Sequence, residues 1–319
     1  MTTTLSAYVH ALHFEAEDIT SIDLRPLDGV AFPPFEAGAH VDLQLPNGLL
    51  RRYSLVNPPG ERGRYLVAVL KDRASRGGSR WLHDNLRIGL RLTISAPRNN
   101  FKLHEDAGHS VLVAGGIGIT PLLCMGRRLQ QLGRPFELLV FARSRKSAAF
   151  VAEIEALGAT VHWHFDTEQG GPPDLKALLA SRPANPDTHY YACGPGVMLD
   201  SFETLCAELG YTNAHIERFT AVEVAAATDA MQSYTVELRR SGKTITVTPA
   251  QTLLEALRAC GADPSTSCEE GVCGSCETAV LEGTPDHRDS VLSAAEHAAN
   301  KVMMVCVGGC KSERLVLDM

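Results

Sequence analysis

The sequence contains no long uninterrupted apolar run. Its longest apolar stretch, Val111–Met125, is broken by Gly115, Gly116, Gly118 and Pro121, and it is too short to span a bilayer as a helix. The first residues also lack the basic and apolar segments of a secretory signal. We therefore expect neither a membrane-spanning segment nor a secretion signal.

The sequence also lacks a basic block. It has 30 Lys and Arg against 37 Asp and Glu, a net charge of −7, so the footprint of a nucleic-acid-binding protein is absent. Its 319 residues, 45% hydrophobic and 21% charged, are typical of a globular protein of two or three domains. Nine cysteines without a secretory signal indicate reduced thiols or metal ligands, and they favour the cytoplasm.

Four cysteines carry the most specific pattern in the chain. Cys268, Cys273 and Cys276 have the spacing C-x4-C-x2-C, and Cys306 follows thirty residues later. This is the ligand spacing of a plant-type [2Fe–2S] cluster, which accepts and donates single electrons. A zinc site is the alternative, but zinc sites usually show paired C-x2-C motifs and only one such pair occurs here.

The loop between these cysteines has the freedom that a cluster requires. Gly271 and Gly274 let the main chain turn closely around the sulfides, where a Cβ would clash. Loop amides can then hydrogen-bond the sulfurs and help to set the reduction potential. Three other cysteines, Cys124, Cys206 and Cys260, are predicted to be core thiols. Cys310 is predicted to be a free thiol near the cluster.

Residues 1–105 alternate short strand-like runs with turns. Pro46-Asn47-Gly48 is typical of a hairpin turn, and one helical stretch lies near Gly78–Leu86. Six strands with a single helix predict a small antiparallel barrel. The strands are predicted at Tyr8–Phe14, Ile19–Arg25, His40–Gln44, Arg51–Leu55, Tyr65–Leu70 and Arg91–Ile94.

Residues 106–222 alternate strands with helices, which predicts a parallel α/β sheet. Residues 223–233 lack turn chemistry and are predicted to be a linker. Residues 234–319 begin with a hairpin across Arg239–Gly242, and a helix at Thr252–Ala259 precedes the cysteine loop. The parallel strands are predicted at Ser110–Ala114, Phe136–Phe141, Thr160–Phe165 and His189–Cys193, and those of the last region at Tyr234–Leu238, Lys243–Val247 and Leu315–Asp318.

Two glycine turns follow strands of the α/β region. In the first, Gly115–Pro121, Thr120 is predicted to cap the next helix and Pro121 to fit its first turn. Such a turn admits a dinucleotide pyrophosphate, but G-x-G-x-x-G is not matched, and a structural junction explains the turn equally well. The second turn, Cys193-Gly194-Pro195-Gly196, favours the dinucleotide, because two turns at the carboxyl ends of parallel strands line one crevice.

A basic and aromatic strand in the first region is a weaker signal. Arg51-Arg52-Tyr53-Ser54-Leu55 combines guanidinium groups, a ring and a hydroxyl, which suit a phosphate and a flat ring system. Gly77-Gly78-Ser79, before a helix, would add a second phosphate contact. From the spacing alone, an ordinary exposed strand with two arginines explains the pattern better.

Together these motifs resemble the phthalate dioxygenase reductase family of iron–sulfur flavoproteins over essentially the whole chain. Arg52-Tyr53-Ser54 matches the flavin motif of the family, and Gly115–Pro121 matches its nicotinamide motif. Cys193-Gly194-Pro195 matches the second nicotinamide turn, and Glu217-Arg218-Phe219 the end of the nucleotide domain, where the aromatic residue lies near the flavin. The four cysteines match the C-terminal ferredoxin domain, which implies a β-grasp fold there.

The resemblance implies FMN as the flavin and NADH as the electron donor. Thr120 and Cys193 are expected to orient the nicotinamide while a hydride passes to the flavin. NADPH is the alternative electron donor, because its 2′-phosphate would attract Arg143 and Arg145. The residues implied to contact FMN are Arg52, Tyr53, Ser54, Leu55, Lys71, Gly78, Ser79 and Phe219, and those implied to hold NADH are Gly115, Gly116, Gly118, Ser144, Arg145, Gly194 and Pro195.

The resemblance also implies a protein partner, a separate Rieske-type oxygenase that receives the electrons. A monomer is the default expectation for the chain itself. A small ferredoxin, a cytochrome or O2 are alternative acceptors. A non-catalytic redox sensor would need an effector or DNA-binding element, and the sequence shows none. Glu269 and Glu270 on the cysteine loop would steer a basic partner, although an ordinary solvated loop explains them equally well.

Overall fold

The chain divides into two units, Thr2–Arg218 and Phe219–Met319. The computed structural model describes residues 3–73, 75, 77–182, 184–219, 233–266 and 268–319. The predicted linker, residues 223–233, lies outside the described residues except for Ser233. Within these described ranges, no helix has both the length and the apolar character needed to cross a bilayer.

The first unit begins with six strands and one helix: β1 (Thr4–Ala16), β2 (Ile19–Pro26), β3 (His40–Gln44), β4 (Leu50–Ser54), β5 (Tyr65–Leu70), α1 (Gly78–Asn85) and β6 (Arg91–Ser95). The antiparallel sheet has the order β4-β3-β6-β1-β2-β5. A bridge between Leu55 and Val67 joins its two outer strands, which closes the predicted barrel. Gly48, with φ 83°, makes the predicted hairpin turn between β3 and β4.

The rest of the first unit is a parallel sheet with helices: β7 (His109–Gly115), α2 (Ile119–Leu132), β8 (Phe136–Ala142), α3 (Val151–Glu155), β9 (Thr160–Phe165), α4 (Asp166–Gln169), α5 (Leu175–Ala180), β10 (Thr188–Cys193), α6 (Gly196–Leu209) and β11 (Ala214–Glu217). The strand order is β11-β10-β7-β8-β9, and all pairs are parallel. Four of these strands were predicted; β11 was missed. Parallel pairing places Gly115, Cys193 and Glu217 at one edge, where the strands end.

The barrel and the parallel sheet share one hydrophobic core, and α2 lies between them. Cys124 on α2 donates its thiol to the Asn57 carbonyl at 3.2 Å, and Arg127 donates to the Val56 carbonyl at 2.7 Å. Both bonds tie the helix that follows the glycine turn to the segment that follows β4. The turn is thereby held in register with the barrel strand that carries Arg52.

The second unit contains a mixed sheet, two helices and a small two-stranded ribbon: β12 (Tyr234–Leu238), β13 (Lys243–Val247), α7 (Leu253–Ala259), β14 (Glu277–Glu282), β15 (Pro285–Asp286), α8 (Ala294–Ala299), β16 (Val302–Met304), β17 (Gly309–Cys310) and β18 (Arg314–Leu317). The large sheet has the order β13-β12-β18-β14-β16, and β15 pairs with β17. The predicted hairpin of β12 and β13 is confirmed. Capping boxes begin both helices, at Thr252 with Glu255 and at Ser293 with Glu296.

Candidate functional site

The two glycine turns of the first unit touch each other through their main chains. A Cβ added to Gly118 would lie 2.1 Å from the carbonyl oxygen of Cys193, and one added to Gly194 would lie 2.9 Å from the Cα of Gly115. Real Cβ atoms do not approach that closely, so this contact requires glycine on both sides. The two turns therefore form one continuous main-chain surface at the edge where the parallel strands end.

Two helices of fourteen residues begin at this surface. The helix α2 starts at Ile119, after a 3₁₀ turn at Gly116–Gly118, and α6 starts directly after Pro195. The first amides of each helix have no partner within the helix, and they give that end a partial positive charge. A pyrophosphate fits such a surface because its oxygens accept hydrogen bonds from these amides and its negative charge is attracted by both helix ends.

The prediction that Thr120 caps α2 is wrong. The capping position is Gly118, and no side chain caps this helix. Thr120 lies inside the first turn, where its hydroxyl donates to the Ile117 carbonyl at 3.0 Å instead of accepting from an amide. The hydroxyl comes too late in the chain to reach the amides that a cap satisfies. Pro121 does lie in the first turn, as predicted.

The thiol of Cys193 is fully buried at the end of β10. Burial raises its pKa well above the ordinary value of a thiol, and the nearby Glu217 carboxyl raises it further. The side chain consequently stays protonated at neutral pH, so it can orient a ligand but is not a nucleophile. Thr120 is also buried, with 2% of its surface exposed.

A buried acid at the end of β11 connects the two halves of the unit. Glu217 is 8% exposed, and burial raises its pKa to about 7 in spite of the opposing effects of the Arg52 guanidinium and the Ser54 hydroxyl. The barrel strand with Arg52 and Ser54 therefore lies beside the last strand of the parallel sheet. The sequence placed Glu217 in a motif but gave no sign of this pKa, because the burial arises only when β11 meets the barrel.

Further charged and polar groups surround Arg52. Asp42 lies 3.9 Å from its Nε and also pairs with Arg98. His40 is fully buried, and burial and the two guanidinium groups hold its pKa well below the ordinary value. Neither ring nitrogen of His40 has a hydrogen-bond partner among the described residues. Buried polar atoms of this kind fit a site for a polar ligand, here one with an anionic group.

The other residues implied to contact the flavin lie on β4 and around α1. Burial raises the pKa of Tyr53 above its ordinary value, and Leu55 makes the bridge that closes the barrel. Gly78 begins α1 so close to Arg51 that a Cβ there would lie 2.4 Å from its Nε. Lys71 is already engaged in an exposed ion pair with Asp84 at 2.7 Å, and the Ser79 hydroxyl donates to that of Ser75 at 2.9 Å.

Arg145 follows β8 at the same edge of the parallel sheet. Its guanidinium makes two hydrogen bonds to Glu168, at 2.8 and 3.0 Å, and lies 4.5 Å from the centre of the Phe165 ring. Ser144 precedes it, and its amide donates to the Ser147 hydroxyl at 3.0 Å. The charge of Arg145 is thus matched by a carboxylate.

Two paired strands bring together two of the four predicted cluster ligands. Cys276 immediately precedes β14 and Cys306 follows β16 closely; because Glu277 pairs with Met304, the two thiols meet and hydrogen-bond. Three of the four residues are buried, with exposures of 3%, 2% and 7% for Cys273, Cys276 and Cys306.

The loop geometry fits a cluster held by these thiols. The Glu270 amide donates to the Cys268 sulfur at 3.3 Å, and the Ser275 amide donates to the Cys273 sulfur at 3.4 Å. Gly271 has a φ of 69°, and a Cβ there would lie 2.7 Å from the Val307 side chain. Amides that already donate to the sulfurs are the contacts that stabilise a thiolate-bound cluster.

Three further residues of the second unit were singled out in the sequence, namely Cys260, Cys310 and Glu269. Cys260 is partly buried at the end of α7 and packs against the core of the second unit, whereas Cys124 and Cys206 are fully buried in the first unit. Cys310 donates to the Ser312 carbonyl at 3.0 Å. Glu269 pairs with Arg258 at 2.6 Å, which weakens the argument that its charge steers a partner.

Comparison with known proteins supports this arrangement. Residues 236–309 match the family model described as a 2Fe-2S iron-sulfur cluster binding domain. The chain is 47% identical over 317 residues to the phenoxybenzoate dioxygenase subunit beta of Ectopseudomonas oleovorans, covering 99% of this chain and 97% of that one. It is 48% identical over 309 residues to the tetrachlorobenzoquinone reductase of Sphingobium chlorophenolicum, covering 95% and 94%.

Solved structures agree. Phthalate dioxygenase reductase, described as a modular structure for electron transfer from pyridine nucleotides to [2Fe–2S], matches with a TM-score of 0.72 and 37% identity, covering 99% of this chain and 98% of that one. An intact type IV self-sufficient cytochrome P450 monooxygenase matches with a TM-score of 0.91 and 38% identity, covering 99% of this chain and 41% of that one.

The fold and the site define a modular iron–sulfur oxidoreductase, with a barrel, a nucleotide-type parallel sheet and a ferredoxin domain. The chain belongs to the phthalate dioxygenase reductase family.

Proposed function

We propose that this protein is the reductase component of a two-component Rieske-type oxygenase or demethylase. Electrons enter from NADH, pass through FMN and leave through the [2Fe–2S] cluster to the oxygenase. The observation that carries the proposal is the presence of two sites in one chain. The first is the pair of joined glycine turns beside Arg52 and Glu217, and the second is the cysteine loop of the ferredoxin domain, in which the thiols of Cys276 and Cys306 meet. Relatives of matching length are named as a phenoxybenzoate dioxygenase subunit and a vanillate O-demethylase oxidoreductase.

NADH is proposed to lie on the main-chain surface formed by the two glycine turns. The amides at the starts of α2 and α6 bind its pyrophosphate, while Thr120 and Cys193 orient the nicotinamide. The residues assigned to this site are Gly115, Gly116, Gly118, Thr120, Ser144, Arg145, Cys193, Gly194 and Pro195. The buried Cys193 thiol presents no charge to the nicotinamide, and alignment rather than base catalysis is what these residues supply.

FMN is proposed to lie against β4 and the start of α1. When bound, the flavin converts a two-electron donor into a source of single electrons. Arg52 and Ser54 supply a cation and a hydroxyl beside the buried Glu217, and the ring of Tyr53 lies on the same strand. The further residues assigned to this site are Leu55, Lys71, Gly78, Ser79 and Phe219.

NADH is proposed over NADPH because of the partner that Arg145 already has. A 2′-phosphate needs a free cation, but the Arg145 guanidinium makes two hydrogen bonds to Glu168. Binding the 2′-phosphate of NADPH through Arg145 would require that ion pair to break. Glu168 is therefore proposed to determine the preference for NADH over NADPH as much as Arg145 does.

The electron outlet is proposed to be the cluster held by Cys268, Cys273, Cys276 and Cys306. We also propose a cytoplasmic monomer of three domains, residues 1–105, 106–222 and 234–319, joined by the 223–233 linker. Three cysteines outside the ligand set lie buried as thiols, which suits a reducing compartment.

A second candidate function is direct reduction of a small molecule or a different acceptor. The tetrachlorobenzoquinone reductase relative is 48% identical, and the matching P450 chain carries a comparable module. On this candidate a quinone or a cytochrome would accept the electrons, and no Rieske oxygenase would be required.

One experiment tests both candidates. The flavin of the purified protein is released and identified by mass, iron and sulfide are assayed, and NADH oxidation is then measured under anaerobic conditions with a panel of Rieske oxygenases, tetrachlorobenzoquinone or cytochrome c. The main proposal expects FMN, two irons per chain and fast oxygenase reduction. Fast quinone turnover with no reduction of any oxygenase in the panel would favour the second candidate instead.

A further inference from the structure

Three side chains of the second unit converge outside the cysteine loop. His287 and Asp289 follow β15, and His297 lies on α8. The Oδ1 atom of Asp289 lies 3.2 Å from Nε2 of His297 and 3.8 Å from Nδ1 of His287. All three potential ligand atoms lie within 4.8 Å of one another.

The carboxylate of Asp289 is fixed by the main chain. Its side chain is 1% exposed, and its Oδ2 accepts hydrogen bonds from the amides of Val291 at 3.2 Å and Leu292 at 2.9 Å. These bonds occupy one oxygen and leave Oδ1 directed to the two imidazole rings. A buried carboxylate held in this way is prepared to bind a cation without reorganising.

One ring nitrogen of His287 is available to bind a cation. Its side chain is 8% exposed, and its Nε2 lies 3.1 Å from Oδ1 of Asn300, whose amide nitrogen in turn donates to the Ala298 carbonyl at 3.4 Å. Nε2 is therefore the protonated nitrogen, and Nδ1 carries the lone pair. Among the described residues Nδ1 has no hydrogen-bond partner. A buried lone pair that faces a carboxylate oxygen calls for a cation between them.

The distances fit tetrahedral coordination. Ligand bonds of about 2.0–2.2 Å to zinc place neighbouring ligand atoms roughly 3.3–3.6 Å apart in a tetrahedron. The observed separations of 3.2 and 3.8 Å lie on either side of that value. His297 is 30% exposed, so an ion can enter from solvent on its side and retain a water as the fourth ligand.

We propose that His287, Asp289 and His297 bind one divalent transition-metal ion of the Zn²⁺ class. Two imidazoles and one carboxylate suit zinc and its neighbours rather than Mg²⁺ or Ca²⁺. Asn300 acts behind His287 by fixing its tautomer, as carbonyl oxygens commonly do for metal-bound histidines. This site is separate from the four thiols and does not depend on the proposed electron route.

The position of the ion gives it a structural effect on the cluster loop. The Ser290 amide donates to the Gly271 carbonyl at 2.9 Å, and Gly271 lies in the loop between Cys268 and Cys273. A bound ion would link α8 to the segment that contains Asp289 and Ser290. It would thereby brace the main chain on which the cysteine loop rests.

A second histidine cluster offers a built-in comparison. His104, His189 and His215 lie together in the first unit. There, Nδ1 of His189 and Nε2 of His215 are 3.0 Å apart in rings inclined by 7°, so the two nitrogens already share a hydrogen bond. In the His287 site, Nε2 of His297 hydrogen-bonds to the Asp289 carboxylate at 3.2 Å, and no bond joins the two imidazoles, because the buried Nδ1 of His287 has no partner among the described residues; the ion is therefore assigned there.

The test is Zn²⁺ binding to the cluster-containing protein, measured by competition with a chromophoric chelator. Wild type is expected to bind one Zn²⁺. The variant His297→Gln should bind at least ~100-fold more weakly, and Asn300→Gly, which keeps the left-handed backbone but removes the acceptor, about 10–100-fold more weakly. His215→Gln should bind like wild type.

Iron content and the visible spectrum check that each variant is folded with its cluster. The proposal is overturned if wild type binds no Zn²⁺, or if His297→Gln and Asn300→Gly bind as tightly as wild type. It is equally overturned if only His215→Gln loses the ion, because the metal would then belong to the other cluster.

Discussion

Gly118 lies against the main chain of Cys193, so that a Cβ on Gly118 would come within 2.1 Å of the Cys193 carbonyl oxygen. The two residues belong to different βα turns, 75 positions apart in the chain. Their contact joins the turn that begins α2 to the turn that begins α6. The proposed nicotinamide site depends on this contact, since neither turn alone was specific evidence for a dinucleotide.

Replacing Gly118 with Ala should separate the two turns. The added methyl group meets main-chain atoms that cannot rotate away, at a cost of about 1–3 kcal/mol or more. We expect flavin reduction by NADH to slow at least ~10-fold in anaerobic stopped-flow measurements, with iron content unchanged. Gly60→Ala is the matched control, because a Cβ there meets nothing within 4 Å. Equal rates for both variants would mean that the turns do not bind NADH.

Glu217 should make the stability of the first unit depend on pH. Its pKa in the folded chain is about 7, above the ordinary 4.5, so between these values the folded state holds a proton that the unfolded state has released. The free energy of unfolding should therefore fall as the pH rises from 4.5 to 7, by at most about 3 kcal/mol, and then level off. Glu217→Gln should lack this fall and gain stability relative to wild type at pH 8.

Denaturation followed by tryptophan fluorescence measures this effect, because both tryptophans, Trp81 and Trp163, lie in the first unit. Glu105→Gln is the control of opposite sign: its ion pair with Arg128 lowers the pKa of Glu105, so that contribution is present at neutral pH and lost on acidification. The effect of Glu105 is taken into account by comparing wild type with Glu105→Gln. If the remaining free energy of unfolding rose with pH from 5 to 7, the raised pKa of Glu217 would be contradicted.

Local patterns predicted most of the fold, and long-range packing decided the rest. The hairpin of β12 and β13 was predicted at its observed bounds because a short turn and alternating residues define it. The strand β11 was missed because it is four residues long and lies at the end of the sheet, where β10 is its one partner among the described residues. Thr120 was wrongly assigned as a cap because the sequence does not show that a 3₁₀ turn starts the helix earlier.

Local patterns also predicted one part of the site, whereas another part depends on contacts between distant segments. Spacing alone selected the four cysteines, since a cluster loop is local in sequence. The charge cluster of His40, Asp42 and Arg98 around Arg52 could not be found, because it combines β3 with the segment after β6. None of the residues in this charge cluster forms a recognisable motif with its neighbours in the sequence.

Glu168 should control the choice between the two nicotinamide cofactors. The variant Glu168→Gln removes the carboxylate that neutralises Arg145, so the freed guanidinium should attract a 2′-phosphate. We expect kcat/KM for NADPH relative to NADH to rise several-fold, roughly 5–10-fold for about 1 kcal/mol. Glu208→Gln, which breaks the exposed pair with Lys176, should leave the ratio unchanged. An unchanged ratio in Glu168→Gln would show that Arg145 does not contact the adenosine ribose.

The central claim is that electrons leave the flavin only through the cluster of Cys268, Cys273, Cys276 and Cys306. Its most direct test is anaerobic stopped-flow reduction of a Rieske oxygenase by NADH, in which wild type is compared with Cys276→Ser and with Cys310→Ser. Cys310 is the matched control, because its thiol bonds to Ser312 and Arg314 and not to the cysteine loop among the described residues. Cys276→Ser should lose the cluster and the reduction of the oxygenase, while NADH still reduces the flavin at the wild-type rate; Cys310→Ser should match wild type throughout. Oxygenase reduction at the wild-type rate by a Cys276→Ser protein that contains no iron would contradict the account.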